Sequence, residues 1–435
     1  MFINLIVFYL LLYYINSYIT IPFKKEFFKE NKTIFDELLS NNLKILIKIG
    51  KPIQKIPFYL NLTEYGFFIN SNYFKINNSK TYKKLNVDEY EEIYDFIDGL
   101  NDISYSKKKD KIESSDQIII GKENIYLKNI SFLIHNQTNN NNYGILGLNQ
   151  YYDHNYYKNY NIIYQLKEKN SIKSYSFFIE YKNYNEGKLI IGANPHEIYK
   201  NYDNEYFNIF KNINIEGGYK INFYKIYFNN NTMFNNLNAE LSFENGMIRG
   251  TNIYRNLIEK NFFEKFIEQN LCFKIKNYLN DYEYNIFYYC EKNVIENFPT
   301  LIFQIYDTKF EFKFDKNDLF CNINNKSYFL IYFKNIDMGK WILGKPFFKK
   351  YLITFNHDKK TISYYTQLKN NIEFKFKFTY LSIIINVILV IIIIFLFYYL
   401  YYYFKYKIRK IRANELIEED NYNNNLNINQ QYIEL

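Results

Sequence analysis

The sequence predicts an all-β fold in two similar lobes with a few short helices, followed by one membrane-spanning helix near the C-terminus. Three observations carry this. From about Leu43 to Tyr365, short apolar and aromatic runs alternate with polar residues at a period of two, as in LKILIKIG, DQIIIG, KLIIG and FEFKFD. Each is bounded by Asn, Gly or Lys turns, the pattern of half-buried strands. The tripeptide Ile-Leu-Gly occurs at Ile145–Gly147 and again at Ile342–Gly344, each downstream of an apolar strand ending in an unusual turn, which implies an internal duplication. Finally, Tyr380–Phe404 runs for 25 residues without a charge, ample at ~1.5 Å per residue for a hydrocarbon core of ~30 Å.

Composition narrows the function classes. The chain has 435 residues and a formal charge of +9, but its lysines stand singly among aromatics and asparagines and form no basic face, so a nucleic-acid partner is not expected. The 49 tyrosines and 42 phenylalanines accompany a general excess of residues encoded by AT-rich codons and carry little functional information. His135, His154, His196 and His357 share no metal-ligand spacing with one another or with the three cysteines. No metal and no cofactor is expected.

The ends give the topology. Met1–Ser17 is an apolar run closing on a small residue and reads as a signal peptide, although the charged start is missing. Residues 18–42 read as a short lead or residual prosegment, within which Lys24–Lys32 resembles a solvated linker. A linker over 366–379 leads to the membrane helix at 380–404. Lys405, Lys407, Arg409, Lys410 and Arg412 follow it, and the positive-inside rule then places the tail, 405–435, in the cytosol. The bulk of the chain faces the lumen of the secretory pathway or the cell exterior as a single-pass type I protein, where disulfides and glycans are possible. Sequons stand at Asn31, Asn61, Asn77, Asn129, Asn136, Asn230 and Asn325. A scaffold reading, in which Glu415, Glu418, Glu419 and Asp420 of the tail recruit partners, has no specific motif behind it. The Asn-rich tracts near 136–144, 229–238 and 421–431 read as loops or disorder.

Within residues 43–365 the punctuation is ordered. Ile49-Gly50-x-Pro52-x-Gln54 opens a strand that reaches Asn61-Leu62-Thr63, with Phe68 seven residues on. Then come Ile103-Ser104-Tyr105, Asp116–Gly121, Gly144–Leu148, Phe177–Gly192, AELSFENGMIRGT at Ala239–Thr251 and Trp341–Tyr365. In this order the features resemble the pepsin-like family of eukaryotic aspartic proteases. The resemblance implies a bilobal fold, with an N-lobe at about 43–175 and a C-lobe at about 176–365, each lobe supplying an Asp-Thr/Ser-Gly loop to one active site.

The resemblance also implies roles for single residues. The two catalytic positions fall at Asn61 and Ser242, the family's tryptophan position at Phe68, the flap tyrosine at Tyr105, and a second-lobe disulfide at Cys290 and Cys321, which leaves Cys272 free. The family chemistry needs two carboxyls sharing one proton, one deprotonating water while the other protonates the substrate carbonyl. An asparagine amide does neither, and a serine hydroxyl with no activating histidine nearby does not replace it. Thr63 and Glu244 stand where the family has glycine. Glu64 and Glu244, close by in sequence, are the candidates for displaced acids. The expected protein is therefore a membrane-anchored family member that binds a peptide or protein between its lobes without cutting it; the alternative is an active aspartic-type endopeptidase of the secretory pathway using displaced acids.

Overall fold

The computed structural model describes residues 18–26, 33–85, 111–135, 143–149, 159–199, 201–210, 218–228, 231–305, 310–336, 339–366 and 379–433. The expected signal peptide, the hairpin around Tyr105, the sequons at Asn31, Asn136 and Asn230, His154 and most of the expected linker lie outside them. The chain divides into two units, Met1–Phe374 and Lys375–Leu435.

The first unit is built on two large sheets. A 13-stranded sheet gathers the strands from Ile19 to Ile209 together with the closing strands Thr354–Asn356 and Thr361–Tyr365, while an 11-stranded sheet takes every strand from Lys220 to Leu343. Alternation decides which side chains enter the core: in Leu43–Ile49 the odd-numbered Leu43, Ile45, Ile47 and Ile49 are buried and Leu46 faces out. One core cluster, rich in Ile and Phe, runs through both sheets, from Ile19 and Phe58 to Trp341 and Tyr364.

Within the expected lead, residues 18–26 and 33–42 take part in the folded unit. Ile19–Lys25 is a strand, paired antiparallel with Glu186–Ile191 from Ile19↔Ile191 to Lys24↔Glu186, and touching the next strand at Lys24↔Lys44. Its inward positions are Ile19, Ile21, Phe23 and Lys25, so a period that buries three apolar residues also buries a lysine. A short helix follows at Ile34–Leu39, begun by a capping box between Thr33 and Asp36.

The disulfide differs from the family-derived expectation. Cys272 is bonded to Cys290, and Cys321 is the free thiol. Strands Cys272–Tyr278 and Tyr284–Glu291 form a hairpin in which Cys272 and Cys290 stand directly opposite, with Cα atoms 4.0 Å apart. Cys321 lies two strands away, because Cys290 faces Ser327 and Ser327 faces Asn322. Neighbouring strands are ~4.8 Å apart, so two steps exceed the reach of a disulfide.

Two Asn-rich tracts expected as loops are ordered elements. Asn231–Leu241 is a strand paired with Lys220–Phe228 across a bulge at Ile226/Tyr227; cross-strand pairing outweighs the poor strand propensity of asparagine. The second unit contains a helix at Thr379–Ile433, which includes the Asn-rich tail. Extending an existing helix is far less costly than nucleating one. Its stretch Val387–Ile417, 31 residues, contains an 18-residue window with a mean hydropathy of 2.5, long and apolar enough to cross a membrane.

Candidate functional site

Two strand–loop–strand units, one in each sheet, are superimposable in their pairing. Gln54–Asn61 runs parallel to Gly144–Gly147, with Leu60↔Leu146 and Asn61↔Gly147, and the chain returns through Phe67–Asn70, which pairs antiparallel on the other side at Phe68↔Ile145. In the second sheet Asn231–Leu241 runs parallel to Trp341–Leu343, with Leu241↔Leu343, and Ile248–Gly250 returns antiparallel at Arg249↔Ile342. Each Ile-Leu-Gly is therefore the strand inserted between the two arms of a loop.

The registers agree on a single correspondence. Phe68 and Arg249 differ by 181 positions and oppose Ile145 and Ile342, which occupy equal places in the two tripeptides. The same difference matches Asn61 with Ser242. The glycines give an independent check. A Cβ on Gly147 would stand 2.5 Å from the carbonyl oxygen of Glu64 and 2.6 Å from that of Gly66, and one on Gly344 would stand 2.5 Å from Asn245 O and 2.3 Å from Met247 O. Glu64 with Asn245, and Gly66 with Met247, again differ by 181. Backbone approaches this close tolerate only glycine.

At Asn61 the side chain serves its own loop. Oδ1 accepts hydrogen bonds from Thr63 N (2.7 Å), Thr63 Oγ1 (2.9 Å) and Glu64 N (2.6 Å), an Asx-type turn that fixes the chain just past the strand. Its backbone carbonyl accepts from Leu148 N at 2.8 Å. Ser242 is buried; its Oγ donates to Glu244 Oε2 at 2.6 Å and accepts from Asn245 Nδ2 at 2.8 Å.

Glu244 joins the two loops. Its other oxygen, Oε1, accepts the Leu62 N–H at 2.5 Å. Burial pushes this carboxyl above the ordinary glutamate range, only partly offset by the hydrogen bond from Ser242 and those from backbone N–H groups. Glu64 enters the first loop through its backbone, with its N–H on Asn61 Oδ1 and its carbonyl accepting from Asn149 N at 2.9 Å. Phe68 is 7% exposed and packs with Leu133 and Tyr160, its ring under Gly66. Phe68 thus supports the loop from within. Tyr105 lies outside the described residues.

The second loop is also held from the N-terminal side. Asn41 N donates to Glu244 O (2.9 Å), Gly246 N donates to Leu39 O (2.7 Å), and Asn41 Nδ2 donates to Phe243 O (2.7 Å). Beneath the first loop, Leu148 O accepts from Tyr219 Oη at 2.9 Å, and His357 Nε2 lies 3.2 Å from the same oxygen and 2.8 Å from Tyr219 Oη. Burial lowers the His357 pKa to about 4. Neither this histidine nor the tether at Leu39–Asn41 was foreseen from sequence, because both act across some 200 positions of chain.

Comparison with known families fits this geometry. The profile of the eukaryotic aspartyl protease family matches residues 61–367. The chain belongs to that family. Among solved structures, basic 7S globulin from soybean aligns with a TM-score of 0.54 at 11% identity, covering 81% of this chain and 95% of its own, a likeness of fold alone. No curated protein matches the sequence significantly. The aspartyl protease fold accounts for the duplicated loops, and its profile begins at Asn61 itself.

Proposed function

We propose that this protein is a membrane-anchored pseudoprotease of the aspartyl protease family, binding a peptide or protein between its lobes without hydrolysing it. The observation that carries the reading is the pair Asn61 and Ser242, neither of them an acid, at corresponding places in the two loops. Proton sharing between two carboxyls cannot operate there, and both side chains are engaged in hydrogen bonds within and around their loops. Glu244, in a place where the family has glycine, occupies the space between the loops and ties them together. The apolar helix serves as a membrane anchor, with the basic residues from Lys405 to Arg412 on the cytosolic side. The disulfide accords with a luminal or extracellular domain.

The test uses the full chain in detergent micelles with a fluorescent peptide library between pH 3 and 7. Saturable binding with no cleavage is the expected result. Cleavage inhibited by pepstatin would overturn the proposal. A second reading rests on the Glu244 carboxyl, whose raised pKa and contact with both loops are features of a general acid; cleavage abolished by Glu244→Gln would establish it.

A further inference from the structure

Below the second loop lies a cavity of about 250 Å³ that the candidate site does not use. Lys345 lines it directly after Gly344, and the Lys345 backbone N–H is tied to Asn245 O at 2.8 Å. Its side chain is 1% exposed, and its Nζ has no hydrogen-bond partner. The ammonium stands 3.3 Å from the centre of the Tyr184 ring. A ring face attracts a cation but leaves its N–H donors unfilled.

Two more lysines converge on the same ring. Lys25, buried at the inward end of the first strand, lies 5.6 Å from the Tyr184 centroid and donates to Glu37 O at 2.5 Å; Lys349, exposed at the rim, lies at 5.9 Å. The one carboxylate lining the cavity, Asp318, is already paired with Lys350 and accepts from Asp315 N at 3.0 Å. Burial first, and then repulsion from Lys25 and Lys349, push the Lys345 pKa down to about 6, and burial takes that of Lys25 to about 8. Phe320, Leu330 and Pro346 supply the apolar part of the lining.

We infer that this cavity binds a small organic anion, with a carboxylate or phosphate head received by Lys345 and Lys349 and a short apolar body against Phe320, Leu330 and Pro346. The cavity is smaller than those that take drug-sized ligands, so a compact molecule fits and a polymer does not. Bound charge would satisfy the buried ammonium and, through the Lys345–Asn245 hydrogen bond, act on the segment that carries Ser242.

Cys321 lines the cavity and is the single free thiol of the three cysteines, which makes it a built-in reporter. The full chain in micelles is alkylated with iodoacetate or, in parallel, iodoacetamide, and Cys321 is followed by mass spectrometry. An anion-attracting cavity raises the iodoacetate-to-iodoacetamide rate ratio about tenfold over that of free cysteine. Phosphate or butyrate, added separately, slows the reaction, and the stronger protector identifies the head group. Lys345→Met returns the ratio to the free-cysteine value. Should that variant not fold, Lys349→Gln at the rim lowers the ratio by about threefold. A ratio at or below that of free cysteine, or protection by neither anion, overturns the inference.

Discussion

The Leu62 backbone N–H donates to Glu244 Oε1 at 2.5 Å across 182 positions of sequence, and the partner oxygen of the same carboxyl takes the Ser242 hydroxyl. Glu244 is thus the clasp between the two loops. Removing it leaves buried donors without an acceptor. Glu244→Ala should cost about 1–3 kcal/mol in urea denaturation, and Glu244→Gln, which keeps an amide oxygen for Leu62, should cost less than half of that.

The same group sets a pH dependence. Its folded pKa is raised by burial, so its contribution to stability is present at acid pH below the unfolded value and is lost as pH rises through the folded one. Denaturation of the wild type and of Glu244→Gln between pH 4 and 8 should show that this decline disappears in the variant.

His357 acts with the opposite sign. Its pKa falls from 6.5 to about 4 in the folded chain, so its contribution is full above pH 6.5 and is lost as pH falls toward 4, on the order of 3 kcal/mol at most. His357→Gln should flatten the stability profile in that window.

Restoring the acids alone should not restore catalysis. In Asn61→Asp with Ser242→Asp, the Thr63 and Glu244 side chains still fill the places where the family has glycine, and the clasp remains between the loops. No acid proteolysis is expected from the double variant. Activity in a peptide assay at pH 4 would show that the loop geometry had survived intact.

The cysteine pairing is checked by non-reducing peptide mapping, which should recover Cys272 linked to Cys290. The bridge closes an 18-residue separation, so removing it should cost about 3 kcal/mol on the loop-entropy model. Cys321→Ser should leave the melting temperature unchanged within about 2 °C.

The two-lobe architecture was legible because its signals are periodic and local: alternation in runs such as Leu43–Ile49 and the repeated Ile-Leu-Gly survive a skewed composition. The correspondence of Asn61 with Ser242 was legible too, and strand register now supports it independently. What the sequence concealed depends on long-range contact. The reach of Glu244 to Leu62, the choice of Cys272 over Cys321 and the burial of Lys25 follow from which strands become neighbours, information that spacing along the chain does not contain. The Asn231–Leu241 strand was misread because its asparagines favour loops on their own and are overruled by a paired neighbour.

The strand Ile19–Lys25 bears on how the protein can be controlled. A leader that is shed to switch on a domain must be separable from it, and this stretch is stitched into the 13-stranded sheet at six successive register positions, from Ile19↔Ile191 to Lys24↔Glu186. Ile19–Lys25 lies between Glu186–Ile191 and Leu43–Ile49 in that sheet, so its loss would uncover the core that Ile19, Ile21 and Phe23 fill. Trimming this strand therefore carries a stability cost, which any control acting at the N-terminus would have to meet.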